Sequence, residues 1–438
     1  MMHFTEGPRP LIAVALALCL TTPAAAQRGD AAEVVIALEE AVARSLNRSP
    51  AMAQATQQVE SAVSGLRASY GAFLPSVSAN SGVSLRSTER FDPGTDRIVS
   101  GSSDSYNVGV STGYELFAGG RRFAELDRSE ADLSAAEARR VDQRFQVALQ
   151  TKQLFFSALR QGELLEVARS RLGQAEESLE MARRQAAVGL ATTSDTLRAR
   201  LEMVNARQAV LTAETAQRAA RFALGRQVGA DGPVTPAAFT DLEPMPLPLS
   251  EAQVLEAAEL GSPSVRAAEA GTGAAVAALS AARRAYLPTL RLSSGYNWAN
   301  QAASFDGGST SWSLSLSGSL PIFNGFQREA TIERAEQDRH VAQLQEEDTR
   351  LAARQEADGV LRTLTTAAAA IEIAGEAVLV AEEDLRVVRE RYRWGVATVL
   401  DVVTSQIALD EARVSLVGAR YDYMMARATL EAILGREL

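Results

Sequence analysis

The side chains that most often carry chemistry are scarce in this 438-residue chain, which holds one cysteine, Cys19, and two histidines, His3 and His340. A nucleophile needs an activating base held by a third group, and no second imidazole stands ready to complete a Ser-His-Asp set. His340 follows Gln337-Asp338-Arg339 in a charged helical stretch, so a solvated face is its expected setting. The acidic run Glu346-Glu347-Asp348 reads the same way rather than as a cation site. Gly271-Thr272-Gly273 lacks the preceding strand and the third glycine of a nucleotide loop. No catalytic residue, cofactor site or metal site is expected. What stands out instead is a pair of carboxylates, Asp195 and Asp401, at matching places in an internal repeat. Carboxylates so placed either serve free helix N-terminal amides or, gathered round an axis, attract cations and repel one another, which raises their pKa values.

The elements that must position them begin after a leader. Met1 to Ala26 reads as a secretory signal, with Arg9 before an apolar stretch from Leu11 to Leu20 and a small-residue cleavage site at Ala24-Ala25-Ala26. Leu18 precedes Cys19 where a lipidation signal would carry a small residue, so no lipid anchor is expected. The mature chain would have no cysteine, hence no disulfide. A net charge of −10 argues against nucleic acid as a partner. No apolar run reads as a transmembrane helix, so any contact with a bilayer is expected to come from strands.

The repeat organises the rest. Ser49-Pro50 returns as Ser262-Pro263, Phe73-Leu74-Pro75 as Tyr286-Leu287-Pro288, and Leu116-Phe117-Ala118-Gly119 as Ile322-Phe323-Asn324-Gly325. Gly189 and Asp195 return as Gly395 and Asp401, and Leu224-Gly225-Arg226 as Leu434-Gly435-Arg436. Residues 27–228 and 250–438 thus read as two copies, joined by a proline-rich linker at 229–249. In each, a helix of about thirty residues, Leu38 to Tyr70 or Ser250 to Ala285, ends at a Leu-Pro.

Strands follow: Ser76 to Leu85, then a polar loop over Arg86 to Ser105, then a return strand through Val108, Val110, Thr112, Tyr114 and Leu116. The second copy has Thr289 to Trp298, a loop over Ala299 to Ser311, and Trp312 to Leu320. In that last strand Leu314, Leu316 and Leu320 alternate with serines, so one face is greasy and the other hydroxylated. Its length suits a tilted strand crossing a bilayer. Trp298 and Trp312 flank the loop as an aromatic belt would. Proline-free helices then span Arg122 to Val188 and Gln327 to Trp394. Leu165, Leu172 and Leu179, with Ala168, Ala175 and Ala182, keep heptad spacing, and Ile371, Val378, Leu385, Ala374, Ala381 and Val388 do so in the second copy. After Gly189 and Gly395, helices resume at Ser194 and Asp401, with Thr193 or Ser194, and Thr398, as caps. Each long helix is expected beside two shorter ones stacked end to end. Four strands cannot close a barrel, and lipid tolerates no open edge, so several copies must combine. Two, three or four copies all give an even strand count; three give twelve.

On these Leu-Pro strand entrances, glycine turns and paired tips, the chain resembles the TolC-type outer-membrane efflux protein family over nearly all of its mature length. The tips are Val188-Gly189-Leu190-Ala191-Thr192-Thr193-Ser194-Asp195 and Gly395-Val396-Ala397-Thr398-Val399-Leu400-Asp401-Val402. The resemblance implies an α+β fold: a homotrimer whose twelve-stranded outer-membrane barrel continues into a coiled-coil periplasmic tunnel. It also implies a periplasmic adaptor and an inner-membrane pump as partners, with Gly189, Leu190, Gly395 and Val396 facing the adaptor. Asp401, Asp195, Ser194 and Tyr392 match members of the family's entrance gate. Ala397 stands where the family has a tethering arginine and Thr404 where it has a second ring aspartate, so the polar lock is expected to be either weaker or built from other groups such as Arg391 or Arg393. A periplasmic coiled-coil scaffold without a pore is the alternative.

Overall fold

The computed structural model describes residues 34–438 apart from 95, 190, 240, 241 and 305. The expected leader and Leu190 therefore lie outside the described residues. The chain opens with a short strand, β1 (Val34–Ile36), and two helices, α1 (Leu38–Arg48) and α2 (Pro50–Gly71). One continuous helix was expected here. Pro50 breaks it, because a proline ring inside a helix meets the carbonyl four residues earlier, whereas at the first helical position its missing N–H costs nothing. Ser49 is accordingly extended, with ψ 126°. Pro263 has the same effect further on.

A hairpin follows, β2 (Ser76–Asp92) and β3 (Arg97–Phe117), then the long helix α3 (Arg121–Ala187) and α4 (Thr193–Gln227). Strand β4 (Val234–Pro236), in the linker, pairs in parallel with β1, a contact the sequence reading did not foresee. The same order then returns: α5 (Glu251–Gly261), α6 (Pro263–Arg283) and a 3-10 turn at Arg284–Tyr286, β5 (Thr289–Asn300), β6 (Ser309–Ser319), α7 (Gln327–Arg393) and α8 (Val399–Leu434).

The four long strands form one antiparallel sheet in the order β2-β3-β5-β6. The polar loop expected over Arg86 to Ser105 is strand for most of its length, since the ladder runs unbroken from Arg86↔Ser103 to Asp92↔Arg97. Backbone pairing requires no apolar face, and a stretch polar on both sides carries no periodicity by which to see it.

The 67 residues of α3 and of α7 each reach about 100 Å at 1.5 Å per residue. α3 packs along α1, α2 and α4, and α7 along α5, α6 and α8, so each long helix lies beside shorter ones. Contacts α4–α3, α3–α8 and α8–α7 place those four helices side by side in that order. Leu165, Ala175, Leu179 and Ala182 on α3, with Ala374, Leu385 and Val388 on α7, are buried, while the remaining heptad residues are half-buried. One apolar cluster gathers Phe155, Phe156, Leu224, Tyr421 and Leu430 where β1 and β4 meet the helices. Another lies toward the tips and contains Leu179, Ala182, Leu385, Tyr392 and Val399.

One stretch of α7 bears on the expectation that no apolar run reads as a transmembrane helix. This 18-residue stretch has mean hydropathy 1.6 and is only 17% buried, so by length and composition it would cross a membrane. Exposed Ile373, Val380 and Val387 of α7, and Trp394 directly after it, recur every seventh residue, the spacing of a coiled-coil seam rather than of a lipid-facing surface. The α4 helix shows a similar stripe: Leu197, Leu201, Val204, Leu211 and Phe222 share one heptad register and are all exposed.

Gly225 shows why a small residue is needed within α4: a Cβ there would lie 2.1 Å from the Gly232 carbonyl oxygen. Gly225→Ala must push that backbone away, and overpacking of this kind costs about 1–3 kcal/mol. A lowered melting temperature in purified protein is the expected result, and an unchanged one would show that the turn at Gly232 moves freely.

Candidate functional site: the helix tips and the strand faces

At the first tip α3 ends, Gly189 takes φ +79°, and α4 starts. The cap is Thr192, not the expected Thr193 or Ser194. The Asp195 amide donates to Thr192 Oγ1 at 3.2 Å, while Asp195 Oδ2 accepts from the Thr192 amide at 2.9 Å and hydroxyl at 2.7 Å. The second tip repeats this closely. Gly395 has φ +71°, Thr398 Oγ1 accepts from the Asp401 amide at 3.3 Å, and Asp401 Oδ2 accepts from Thr398 at 2.7 and 2.9 Å. Each is a reciprocal capping box, in which two otherwise free amides are satisfied. Hydrogen bonds from the Thr398 amide and hydroxyl hold the Asp401 carboxyl below its ordinary range, with Arg391 acting in the same sense. Thr192 does this for Asp195, assisted by Arg198. Within one chain the shift is thus downward, opposite to what converging carboxylates would produce.

Tyr392 is only 4% exposed, and its hydroxyl has no hydrogen-bond partner among the described residues. Burial pushes its pKa up, and the nearby Asp195 pushes the same way. Its carbonyl accepts from Gln185 Nε2 at 2.8 Å, tying the end of α7 to that of α3. The structure therefore brings Tyr392 near Asp195. Ser194 lies exposed in the first turn of α4, and Thr404 turns back to the Leu400 carbonyl at 2.9 Å. Arg393 is paired with Glu390 at 2.9 Å. Val396, at 66%, and Trp394, at 81%, are exposed, as is Val188. Trp394 was missed by the sequence reading, although an aromatic residue just before a turn glycine was its signal.

Further along the helices, Asp410 of α8 is buried among α3 and α4, with Arg171 Nε at 3.5 Å and neither carboxylate oxygen hydrogen-bonded among the described residues. Arg171 also holds Glu202, at 2.6 Å. Burial raises Asp410 from 3.8 to about 6, against the pull of Arg171 and Arg413 and with the push of Glu202. A carboxyl raised on folding stabilises the fold fully below pH 3.8 and loses that contribution as pH rises through 6. Asp410→Asn should flatten the fall in melting temperature between pH 4 and 7; a slope unchanged from the parent would exclude Asp410 as its source.

The strand register sorts the sheet into two faces. Leu316 faces Leu292, which faces Tyr114; Trp312 faces Tyr296, which faces Val110. Trp298, opposite Val108 and Thr310, shares that apolar face, so both tryptophans lie at the end of the sheet near the 301–308 turn. On the other face Ser293 and Ser315 share a hydroxyl bond of 2.7 Å, and Ser78 and Ser111 one of 2.8 Å. At the opposite end Arg122 lies 5.0 Å over the Tyr114 ring and Arg328 lies 4.4 Å over the Tyr286 ring.

A sheet greasy on one face and hydroxylated on the other, continuous with two 67-residue helices, is matched in sequence by the outer membrane efflux protein profile, which covers residues 41–230 and 254–436. The chain belongs to the outer membrane efflux protein family. Among its relatives is Protein CyaE of Bordetella pertussis, 32% identical over 323 residues, which are 70% of this chain and 65% of that protein. The chain thus matches slightly under two thirds of CyaE's length. The solvent efflux pump outer membrane protein SrpC of Pseudomonas putida is 30% identical over 75% of this chain and 71% of its own. Two solved structures share the fold. A membrane protein from Pseudomonas aeruginosa has TM-score 0.79 and 24% identity over 92% of each chain. The outer membrane protein VceC of Vibrio cholerae has TM-score 0.75 and 20% identity over 91% of this chain and 96% of its own. As an outer membrane efflux protein the chain is assigned to the outer membrane.

Proposed function

We propose that this chain is the passive outer-membrane export duct of a tripartite efflux pump or a type I secretion system. The observation that carries the reading is the two-faced, four-stranded sheet whose outer strands β2 and β6 each pair on one side only among the described residues. An open edge is not tolerated in lipid, so the sheet must close with others. The exposed heptad stripes on α4 and α7 support how: they lie on the two opposite edges of the helical layer α4-α3-α8-α7. Joining one edge to the other edge of the next copy is a head-to-tail contact, which closes into a ring. Three copies make a twelve-stranded barrel in outer-membrane lipid, above a tunnel of twelve long-helix-layer segments. Residues 27–228 and 250–438 act as its two structural repeats, with 229–249 joining them.

In that ring the tips form the periplasmic end. Gly189, Leu190, Gly395 and Val396, with Trp394 beside them, meet the adaptor, which connects the duct to the inner-membrane pump. Asp401, Asp195, Tyr392 and Ser194 form the entrance gate. Capping and gating are compatible, because both Thr398 bonds fall on Oδ2 of Asp401. Ala397 offers no cation to hold the gate shut, so the closed state is held less firmly than one with an arginine there. Asp401→Asn should make purified channels less cation-selective in planar bilayers and less sensitive to block by divalent cations. Unchanged selectivity and block would leave Asp401 as a capping residue only.

Fractionation tests the duct as a whole. The expected result is a trimer in the outer membrane fraction that migrates faster before heating than after. A protein recovered wholly from the soluble periplasm would favour the poreless coiled-coil scaffold instead.

A further inference from the structure

Along its middle the hydroxylated face of the sheet carries no charge, while beyond Ser84, toward the β2–β3 turn, Arg86 and Arg97 lie on the same face. The alternate positions Ser76 to Ser84, Asn107 to Gly113, Ser293 to Ala299 and Ser309 to Ser317 are all Ser, Asn, Gly or Ala. Below them, at the helical end, stand Arg291 and Glu115, directly opposite one another in the ladder. Arg291 alternates with Leu290 and Leu292 of the apolar face, so it belongs to the hydroxylated one. Its guanidinium lies beside Gly113, where a Cβ would sit 3.6 Å from Nη2, and the residue is exposed.

Glu115 does not neutralise it. The Glu115 carboxylate accepts from Arg121 at 3.2 and 3.3 Å and has Arg122 at 4.0 Å. Arg291 makes no ion pair among the described residues. Two arginines therefore share one glutamate, and a third adjoins it, leaving an unmatched positive charge on the inward face. The serines above offer no counter-charge, and some are already bonded to each other.

We infer that Arg291 forms an anion-attracting ring at the base of the barrel and selects among the solutes passing it, favouring multivalent anions. This rests on the barrel reading, in which the hydroxylated face lines the lumen and several copies of Arg291 converge. Rings of basic side chains act this way in anion pores, since a confined lumen strengthens their field. The ring is opposite in sign to the carboxylates at the tips and lies at the far end of the 67-residue helices from them. A solute would thus meet an acidic station on entering and a basic one before leaving.

The test uses purified full-length protein in planar bilayers, with reversal potentials in a KCl gradient and with tripolyphosphate added to the strand-hairpin side. The parent channel should be blocked by tripolyphosphate from that side. Arg291→Gln should raise the potassium-to-chloride permeability ratio severalfold and weaken the block severalfold, while Arg291→Lys should keep both near the parent values. A parent channel indifferent to tripolyphosphate from that side would overturn the assignment without need of any variant. So would an Arg291→Gln channel of normal conductance with unaltered selectivity and block. A parent protein that forms no conducting channel would instead overturn the duct reading beneath it.

Discussion

Valine at both Gly189 and Gly395 is expected to abolish export while leaving the assembled protein in the outer membrane. Both glycines sit in the left-handed region, and neither has an atom within 4 Å of where a Cβ would stand. The obstacle is therefore the backbone, not crowding. A left-handed conformation costs an ordinary residue roughly 1–2 kcal/mol, and β-branching makes it worse. Each tip would relieve this by reshaping the turn, which moves Thr192 and Thr398 off the amides they cap and displaces the exposed Trp394 and Val396. The sheet and the bodies of the helices lie far from this strain, so assembly should survive. Asparagine tolerates the left-handed region, so the double asparagine variant should retain most export. The comparison is made in cells lacking any other duct, with trimer in the membrane fraction measured alongside export. Normal export by the double valine variant would remove the tips from the mechanism.

The second large effect concerns which face of β6 meets lipid. Leu316 stands opposite Leu292 and Ser315 opposite Ser293, whose hydroxyls are bonded at 2.7 Å. An arginine facing lipid near the midplane costs about 2–4 kcal/mol, whereas one in the lumen stays in water. Leu316→Arg should sharply reduce the assembled trimer recovered from membranes, and Ser315→Arg should leave it near the parent amount. Equal losses in both would mean that the strand does not present these faces as assigned. The contrast is informative because the two residues are neighbours and receive the same side chain.

The reach of the sequence followed from how each feature is encoded. The long helices were legible almost to the residue, because heptads and missing prolines persist over many turns; α7 runs Gln327–Arg393 where Gln327 to Trp394 was expected. Strand faces were legible where leucine and serine alternate, as from Trp312 to Ser319. Between Arg86 and Ser105 they were not, since both faces are polar there and the pairing is the only signal. The Thr398 cap was legible and stands where it was expected, whereas at the first tip Thr192, Thr193 and Ser194 compete for the role and only geometry gives it to Thr192. The contact of β1 with β4 joins two three-residue strands about two hundred residues apart, too short for any periodicity. Asp410 was invisible for a different reason: a lone aspartate in a charged helix reads as solvated until its neighbours Arg171 and Glu202, on other helices, are placed around it.

As proposed above, the chain forms a continuous outer-membrane conduit. Single-channel recording on protein purified from outer membranes tests it most directly. Trimers that have not been heated should give discrete, long-lived conductance steps in a planar bilayer, and heat-dissociated protomers should give none. Unheated trimers that insert yet conduct no ions would contradict the account.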